Sequence, residues 1–270
     1  MKKTVLVTGA SAGIGKATAI LLAQHGYRVY GAARRIEKMQ DLKGYGIIPI
    51  ALDVTQEESM TACVERIFNE AGSIDILVNN AGFGSYGAVE DVAMHEAKYQ
   101  LEVNVFGAMR LTQLVLPKMR QNTYGKIVNV SSVGGKIASP LGAWYHASKF
   151  ALEALSDALR LEVQQFGIDV IVIEPGGTKS EWGDIAVDSL LRVSGQTAYS
   201  DLTTAFVKSF KQLATNVPEP LVIAQLVQES ITAKHPKTRY VGGYMAKPML
   251  FLRSVLPDKM LDRILMSQMK

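Results

Sequence analysis

A tyrosine and a lysine four residues apart, Tyr145 and Lys149, form the pair of side chains in this sequence best suited to acid–base chemistry. On a helix the two side chains would share one face. A tyrosine with an ordinary pKa near ~10 is a poor base at neutral pH. A lysine ammonium beside it stabilises the phenolate and lowers that pKa, so proton exchange with an alcohol or a carbonyl becomes feasible. Ser132 precedes Tyr145 by 13 residues, at the carboxyl end of a predicted strand, where ligands lie in open α/β sheets.

A glycine-rich turn, Gly9-Ala10-Ser11-Ala12-Gly13-Ile14-Gly15, follows the first predicted strand and opens the first predicted helix. Glycines let the backbone approach a pyrophosphate closely, and the helix presents unpaired N–H groups and a positive dipole end to that anion. The spacing Gly-x-x-x-Gly-x-Gly is a variant of the usual dinucleotide-binding pattern, not a match to it. An ordinary strand-to-helix loop is the alternative, but the position of the turn favours dinucleotide binding.

The end of the second predicted strand distinguishes between the two nicotinamide dinucleotides. An NAD site places Asp or Glu about 20 residues after the glycine turn, where it accepts from the ribose 2′-OH. Here the strand ends in Gly31-Ala32-Ala33-Arg34-Arg35, and no carboxylate follows until Glu37. Arg34 can pair with a 2′-phosphate through charge-assisted hydrogen bonds, whereas a carboxylate would repel it. The sequence therefore favours NADP(H), with a pair of solvated arginines as the alternative.

Short runs rich in β-branched residues alternate with longer helical patterns along the chain. Several runs are continuously apolar, as expected where helices cover both faces of a parallel sheet. The crossover rule then predicts an α/β fold, a doubly wound, seven-stranded parallel sheet in a single domain. The predicted strands are Thr4–Thr8, Arg28–Ala33, Ile47–Asp53, Ile74–Asn79, Gly125–Ser131, Asp169–Glu174 and Thr238–Gly242. The predicted helices are Gly13–His25, Gln56–Ala71, Glu96–Gln121, Ala143–Phe166 and Pro220–Ala233.

Five features in order resemble the short-chain dehydrogenase/reductase family, a Rossmann-fold family, over the chain from Thr4 to about Gly243. They are the Thr8–Gly15 turn, Asn79-Asn80-Ala81-Gly82 after the fourth strand, Asn104 in Asn104-Val105-Phe106-Gly107, Ser132 with Tyr145 and Lys149, and Pro175-Gly176 after the sixth strand. The segments around Ser132 and Tyr145 are similar to the steroid- and retinol-handling branch. The implied organisation is a catalytic domain at 1–243, with a substrate-loop segment at 178–216, followed by a helical extension at 244–270 packed on the same domain.

The resemblance implies a role for each matching position. Tyr145 would be the general acid in reduction and the base in oxidation, and Ser132 would hold the substrate oxygen. Lys149 would lower the pKa of Tyr145 and bind the nicotinamide ribose, while Asn104 would help to relay protons through water. The NADP site would be lined by Gly9, Ser11, Gly13, Ile14, Gly15, Arg34, Asp53, Val54, Asn80, Ala81, Gly82, Tyr145, Lys149, Pro175, Gly176 and Thr178. No metal ion is part of the expected site.

Alternative interpretations remain for Asn104, for Asp53, for the choice between Ser131 and Ser132, and for two histidines. Asn104 could simply pack a helix bend, and Asp53 could cap the next helix instead of facing the adenine. The 13-residue spacing to Tyr145 favours Ser132 over Ser131 as the catalytic serine, so Ser131 is expected to have a structural role. His95 and His146 are expected to be ordinary helix residues.

The segment expected to close the substrate pocket is mainly apolar, so a hydrophobic ketone, aldehyde, steroid-like or retinoid-like compound is the expected substrate. We expect one wall from residues in the substrate-loop segment, namely Trp182, Ile185, Leu190, Leu191, Tyr199, Phe206 and Phe210. A second wall is expected from Gly135, Ile137, Ala138, Leu141 and Trp144.

The tail from Tyr244 onwards extends beyond the minimal family core. Pro248 and Pro257 each suit the first turn of a short helix, and apolar residues recur at helical spacing after Leu256. Between Lys234 and Lys270 there are eight Lys and Arg residues against two Asp. A helix docked on the domain, or a substrate lid, is the favoured interpretation. A basic amphipathic contact with a membrane surface or a partner is the alternative.

The composition and charge of the chain limit which other classes of function are compatible with the sequence. The chain has 270 residues and a formal net charge of +4, concentrated in the tail, which argues against a general nucleic-acid-binding surface. A single cysteine, Cys63, and the absence of a membrane-spanning apolar run fit a cytoplasmic protein. The long helices Glu96–Gln121 and Ala143–Phe166 imply, by the resemblance, a homodimer or homotetramer. The competing class is a non-catalytic NADP(H)-binding regulatory or scaffold protein, which would not need Asn104, Ser132, Tyr145 and Lys149 together.

Overall fold

A central seven-stranded sheet organises the computed structural model, which describes residues 2–269. The strands are β1 (Thr4–Thr8), β2 (Arg28–Ala33), β3 (Ile48–Ala51), β4 (Ile76–Asn79), β5 (Gly125–Val130), β6 (Ile168–Pro175) and β7 (Arg239–Gly242). They pair in the order β3-β2-β1-β4-β5-β6-β7, and each neighbouring pair is parallel. The doubly wound parallel sheet predicted from the sequence is confirmed.

Helices cover both faces of this sheet. They are α1 (Gly13–Gln24), α2 (Glu57–Ala71), α3 (Met94–Leu101), α4 (Gly107–Gln121), α5 (Ala143–Val163), α6 (Glu181–Ser194), α7 (Ser200–Ala214), α8 (Leu221–Thr232), α9 (Ala246–Val255) and α10 (Asp258–Ser267). Successive strand residues point to opposite faces. Val5 and Val7 of β1 therefore pack in the core shared with α1 and α8, whereas Leu6 packs in the core shared with α2 and α4.

The order of the strands places the ends of β1, β4, β5 and β6 side by side. Because β1 lies between β2 and β4, the direction of winding reverses there, and ligands of open α/β sheets bind at such a reversal. The register brings Val7 opposite Val78 and Asn79 opposite Asn129. The segments that follow these four strands therefore meet at one edge of the sheet.

Several predicted element boundaries were wrong. The helix predicted over Glu96–Gln121 starts two residues earlier and is interrupted by a π-helical turn at Glu102–Phe106. The strand predicted over Ile47–Asp53 ends at Ala51, so Asp53 lies in a loop. A 3₁₀ segment at Ile36–Tyr45 and the helices α6 and α7 were not predicted as elements.

The C-terminal tail forms the two helices α9 and α10 and docks on the domain. Leu261 and Leu265 of α10 share a small core with Ile137, and Met249 and Leu252 of α9 pack against it. The outer faces stay exposed, with Phe251 64% and Met260 48% accessible. Within residues 2–269, none of the helices has both the length and the apolar character that crossing a membrane requires.

Candidate active site

Helix α5 carries Tyr145 and Lys149 one turn apart at the carboxyl edge of the sheet. Both side chains are buried, Tyr145 being 8% and Lys149 6% exposed. The Lys149 ammonium donates a hydrogen bond to the Val130 carbonyl, 2.9 Å away at the end of β5. Burial raises the pKa of Tyr145 to about 12 and lowers the pKa of Lys149 to about 8. Burial therefore favours the protonated form of Tyr145, and the lowering of its pKa that was expected from Lys149 is not seen.

Ser132 lies next to Tyr145, just beyond the end of β5. Interaction with the Ser132 hydroxyl lowers the pKa of Tyr145 and so opposes the effect of burial. The same hydroxyl accepts from the Gly134 amide at 2.9 Å and donates weakly to the Pro175 carbonyl at 3.5 Å. Ser131, in contrast, is buried and its hydroxyl has no hydrogen-bond partner within the described chain. Of the two serines, the structure thus brings Ser132 to Tyr145.

Asn104 occupies the π-helical turn between α3 and α4. Its side-chain amide donates to the Phe83 carbonyl at 2.9 Å and to the Ser148 hydroxyl at 3.0 Å. Its side-chain oxygen accepts from the Phe83 amide at 3.0 Å. These bonds join the turn to α5 and to the loop after β4, which fits the packing alternative. A Cβ on Gly82 would lie 3.1 Å from Asn104 Oδ1 and 3.7 Å from Lys149 Nζ, so Asn104 and Lys149 also border one space.

The glycines of the turn between β1 and α1 let the backbone fold tightly against the loop after β4. Gly9 has φ = 67° and Gly13 has φ = 52°, which other residues adopt only with strain. A Cβ on Gly15 would collide with the Gly9 carbonyl and the Asn80 side chain. Helix α1 starts without a side-chain cap at Ala12, so its first amides are free to bind an anion. This arrangement fits a pyrophosphate.

The loop after β4 is hydrogen-bonded to the glycine turn. The Thr8 hydroxyl accepts from the Asn80 amide at 3.0 Å and from the Ala81 amide at 2.9 Å. The Asn80 side chain donates to the Thr8 carbonyl at 3.0 Å. Two of the predicted cofactor segments are therefore in contact. Beside them, Ser11 is half-buried and Ile14 packs against the core on the α1 face.

Arg34 extends into solvent at the end of β2. Its guanidinium donates to the Tyr99 hydroxyl at 2.7 Å, and no carboxylate of residues 2–269 forms an ion pair with it. Arg35 instead contacts Glu181 at 3.4 Å. Arg34 is thus held in place by a neutral partner and keeps its positive charge uncompensated, as a 2′-phosphate site requires.

Asp53 organises the turn into α2. Its carboxylate accepts from the Thr55 amide at 3.0 Å and from the Thr55 hydroxyl at 2.8 Å. These bonds form a turn ahead of α2 but do not cap it, because the helix begins at Glu57 with Gln56 as its N-cap residue and no side-chain cap. Val54 is buried, and the missing side chain of Gly107 lets helix α4 begin directly against its carbonyl.

The segment after β6 is tied to the segment after β7. The Gly176 amide donates to the Gly242 carbonyl at 2.8 Å, and Gly177 exchanges backbone bonds with Tyr244 at 2.8 and 3.1 Å. The Thr178 hydroxyl donates to the Gly176 carbonyl at 3.1 Å. The Pro175 carbonyl lies 3.5 Å from the Ser132 hydroxyl, and Thr178 leads into helix α6.

Tyr145 belongs to an aromatic cluster, in which it packs with Tyr86, Trp182 and Phe206. The Trp182 ring centroid is 5.1 Å from that of Tyr145, and Tyr86 is 5.8 Å from each of Tyr145, Trp182 and Phe206. Leu141 and Leu190 complete this apolar core, against which Tyr199 also packs. Of the other expected wall residues, Ile185 and Leu191 are each 46% exposed. Ile137 packs under the tail instead.

Two neighbours of the site, Tyr86 and His146, were missed as site residues. Tyr86 follows Gly82 by four positions, and its aromatic type was the only signal in the sequence. His146 Nε2 accepts from the Ser139 amide at 3.1 Å, so Nδ1 carries the proton and donates to the Gly134 carbonyl at 3.0 Å. Burial lowers the pKa of His146, which keeps it neutral. It therefore holds the loop that follows Ser132 and is not an ordinary helix residue.

Residues 3–187 match the family model described as short chain dehydrogenase. This match spans more than half of the chain and includes Ser132, Tyr145 and Lys149. The chain belongs to the short-chain dehydrogenase family. Members of this family are oxidoreductases that interconvert carbonyls and alcohols, and this is the chemistry to which the assembled site belongs.

Individual relatives are similar over nearly the full length of the chain. A 3-ketodihydrosphingosine reductase of Bacteroides thetaiotaomicron is 36% identical, with 96% of this chain and 94% of that protein covered. An NADPH-dependent 3-dehydrocapnine reductase of Ornithobacterium rhinotracheale is 34% identical, with 98% and 96% covered. The solved structure of a short-chain dehydrogenase from Streptomyces avermitilis is 34% identical, has a TM-score of 0.81, and covers 94% of this chain and 93% of its own.

Proposed function

We propose that this short-chain dehydrogenase is an NADP(H)-dependent enzyme that interconverts an apolar carbonyl compound and its alcohol, with Tyr145 as the acid and base. The observation that carries the proposal is the buried pair of Tyr145 and Lys149 with the half-buried Ser132 next to Tyr145. A non-catalytic scaffold protein would gain nothing from burying a lysine next to a tyrosine, because desolvation opposes the charge of that lysine.

In the reducing direction each side chain has one task. When bound, NADPH supplies a hydride equivalent to the carbonyl carbon. Tyr145 Oη donates its proton to the substrate oxygen, and Ser132 Oγ stabilises the negative charge that develops there through a hydrogen bond. The Lys149 ammonium stabilises the phenolate that remains. In oxidation the same groups act in reverse, so Lys149 and Ser132 must then offset the burial that holds the proton on Tyr145.

The chain's own residues fit a dinucleotide with a 2′-phosphate. The turn from Gly9 to Gly15 and the first amides of α1 would hold the pyrophosphate, and Lys149 would bind the nicotinamide ribose. Arg34 would pair with the 2′-phosphate, sharing its guanidinium with Tyr99. The similarity to an NADPH-dependent 3-dehydrocapnine reductase supports the same choice.

The surroundings of Tyr145 support an apolar substrate. Aromatic and aliphatic side chains enclose it, and Trp182 of helix α6 contacts it directly. Such a wall favours a substrate with a long or bulky hydrocarbon portion, since a charged group there would lose its hydration. A relative whose name is 3-ketodihydrosphingosine reductase supports a keto compound as the substrate class.

Self-association and membrane contact are further parts of the proposal. Phe106 is 57%, Phe150 44% and Leu161 60% exposed, and these apolar residues lie on the helical faces expected to pair two copies. We expect a homodimer or a homotetramer built on these faces. The docked tail fits the favoured interpretation of α10, and its exposed Phe251 leaves contact with a membrane surface as a weaker alternative.

A substrate panel tests the proposed function. We expect purified protein to oxidise NADPH in the presence of apolar ketones or aldehydes, with kcat/KM rising as the hydrocarbon portion grows, because more apolar surface is buried. Absorbance of NADPH measures the rate, and NADH serves as the matched cofactor control. Preference for small charged carbonyl compounds would overturn the apolar assignment, and equal use of NADH would overturn the cofactor assignment.

A further inference from the structure

A cluster of buried charges lies behind Lys149 and is not used by the proposed chemistry. Glu153 and Glu174 are 3% and 2% exposed. Glu153 pairs with Lys136 at 3.0 Å and with Arg239 at 2.9 Å. Arg239 also contacts Glu174 at 3.2 Å and, at the outer edge of the cluster, Asp157 at 2.7 Å.

This cluster is unfavourable for stability alone. Two carboxylates close together lose their hydration, and apolar side chains of the same size would often be as stable or more so. One oxygen of Glu153 is buried without a hydrogen-bond partner among residues 2–269. Burial, followed by the charge of Glu153, raises the pKa of Glu174 to about 6. The arrangement therefore calls for a role other than packing.

Glu153 connects the pieces of the chain that carry the site. It lies on α5 one turn after Lys149, and its partner Lys136 lies four residues after Ser132. Gly135, next to Lys136, packs closely against helix α5. A Cβ added to Gly135 would lie 2.8 Å from Ser131 Oγ, 2.9 Å from Glu153 Cγ and 3.1 Å from the Lys149 carbonyl oxygen. The ion pair thus joins the loop after Ser132 to the helix of Tyr145 and Lys149.

Glu153 also places negative charge near the buried ammonium. Desolvation lowers the pKa of Lys149, and the Glu153 carboxylate raises it again. The other charged groups around Glu153 come from three elements: Lys136 from the loop, Glu174 from β6 and Arg239 from β7. Loss of the Glu153 charge would leave two cations, Lys136 and Arg239, with Glu174 as the remaining buried carboxylate of the cluster.

We propose that Glu153 is a positioning residue for the reaction, joining the Ser132 loop to helix α5 through Lys136 and Arg239 and keeping positive charge on Lys149. This inference rests on the proposed function, since it assigns Glu153 a role through Lys149. The pair formed by Tyr145 and Lys149 must carry its full complement of protons to act as an acid. As the pH rises, either Tyr145 or Lys149 loses its proton first, and a nearby negative charge raises the pKa of that step.

The test is the pH dependence of kcat/KM for reduction at saturating NADPH. In Glu153→Gln we expect the alkaline limb of the profile to move to lower pH by about 1 unit. In Lys136→Gln we expect a smaller movement to higher pH, because a cation is removed from the same side. Asp157→Asn is the matched control, since it removes a carboxylate partner of Arg239 that lies farther along α5. The alkaline limb of the Asp157→Asn profile should not move. Glu153→Asp, which keeps the charge, should restore the limb at least in part.

The outcomes separate this inference from the proposed function. A Glu153→Gln profile that superimposes on the wild type, while Tyr145→Phe is inactive, overturns the inference alone. If Tyr145→Phe keeps wild-type activity, the proposed function fails instead. If Glu153→Gln does not unfold cooperatively on heating, the Lys136→Gln variant provides the test instead. Movement of its alkaline limb to higher pH supports the inference. An unchanged limb, or one moved to lower pH, overturns it.

Discussion

Replacement of Tyr145 by Phe is expected to reduce carbonyl turnover by about a thousand-fold, the middle of the range for loss of a general acid. The substitution removes one oxygen and leaves the ring that packs on Trp182 and Tyr86. The NADPH dissociation constant should stay within about threefold, because the hydroxyl is not part of the pyrophosphate or 2′-phosphate sites. Rates under single-turnover conditions and NADPH fluorescence titration measure the two quantities.

The control for this substitution is Tyr30→Phe, which also removes the hydroxyl of a buried tyrosine. Tyr30 lies in β2 and donates to Glu70 at 3.0 Å, away from the site. Its loss should lower the free energy of unfolding by about 1 kcal/mol and leave turnover unchanged. Equal activity losses in the two variants would mean that packing and not proton transfer explains the effect at Tyr145.

Replacement of Arg34 by Ser is expected to raise KM for NADPH by about 10- to 100-fold and to leave KM for NADH nearly unchanged. The lost interaction is a charge-assisted hydrogen bond to the 2′-phosphate, worth about 1.5–3 kcal/mol. Steady-state kinetics with the two cofactors measures the change, and because the phosphate charge is exposed, added salt should weaken the wild-type preference as well.

Arg35→Ser serves as the matched control for Arg34. Arg35 is also exposed at the end of β2, but it pairs with Glu181, so its loss should change KM for NADPH much less. If the Arg34 and Arg35 variants were equally impaired, general positive charge and not one specific contact would determine the cofactor. If both cofactors lost affinity together at Arg34, the assignment of the 2′-phosphate site would be wrong.

Much of the fold could be predicted because local pattern and global topology agree. The apolar runs from Thr4 to Thr8 and from Arg28 to Ala33 became strands with the predicted bounds. The helices α6 and α7 were not predicted as elements, because their apolar residues face the aromatic cluster, and nothing local to the segment 178–216 reveals that partner. The π-helical turn at Asn104 was hidden for a similar reason, since it depends on hydrogen bonds to Phe83 and Ser148.

Some residues of the candidate site could likewise be predicted from the sequence, and others could not. Tyr145, Lys149 and Ser132 could be chosen from spacing and from family resemblance, and the structure brings them together. Asp53 was expected either to face the adenine or to cap the next helix, and its bonds to Thr55 form a turn ahead of α2 without capping it. Glu153 could not be singled out, because an exposed glutamate and a buried one have the same letter, and its partner Arg239 is 86 residues away.

The central claim is hydride transfer from NADPH to a carbonyl carbon, and isotope transfer tests it most directly. NADPH carrying deuterium at both positions of nicotinamide C4 would be incubated with the best apolar ketone of the panel, and the alcohol would be analysed by mass spectrometry and NMR. We predict one deuterium on the carbinol carbon of each product molecule with the wild-type protein and almost no product with Tyr145→Phe. An alcohol without cofactor deuterium, or deuterium incorporated only from heavy water, would contradict the proposed reaction.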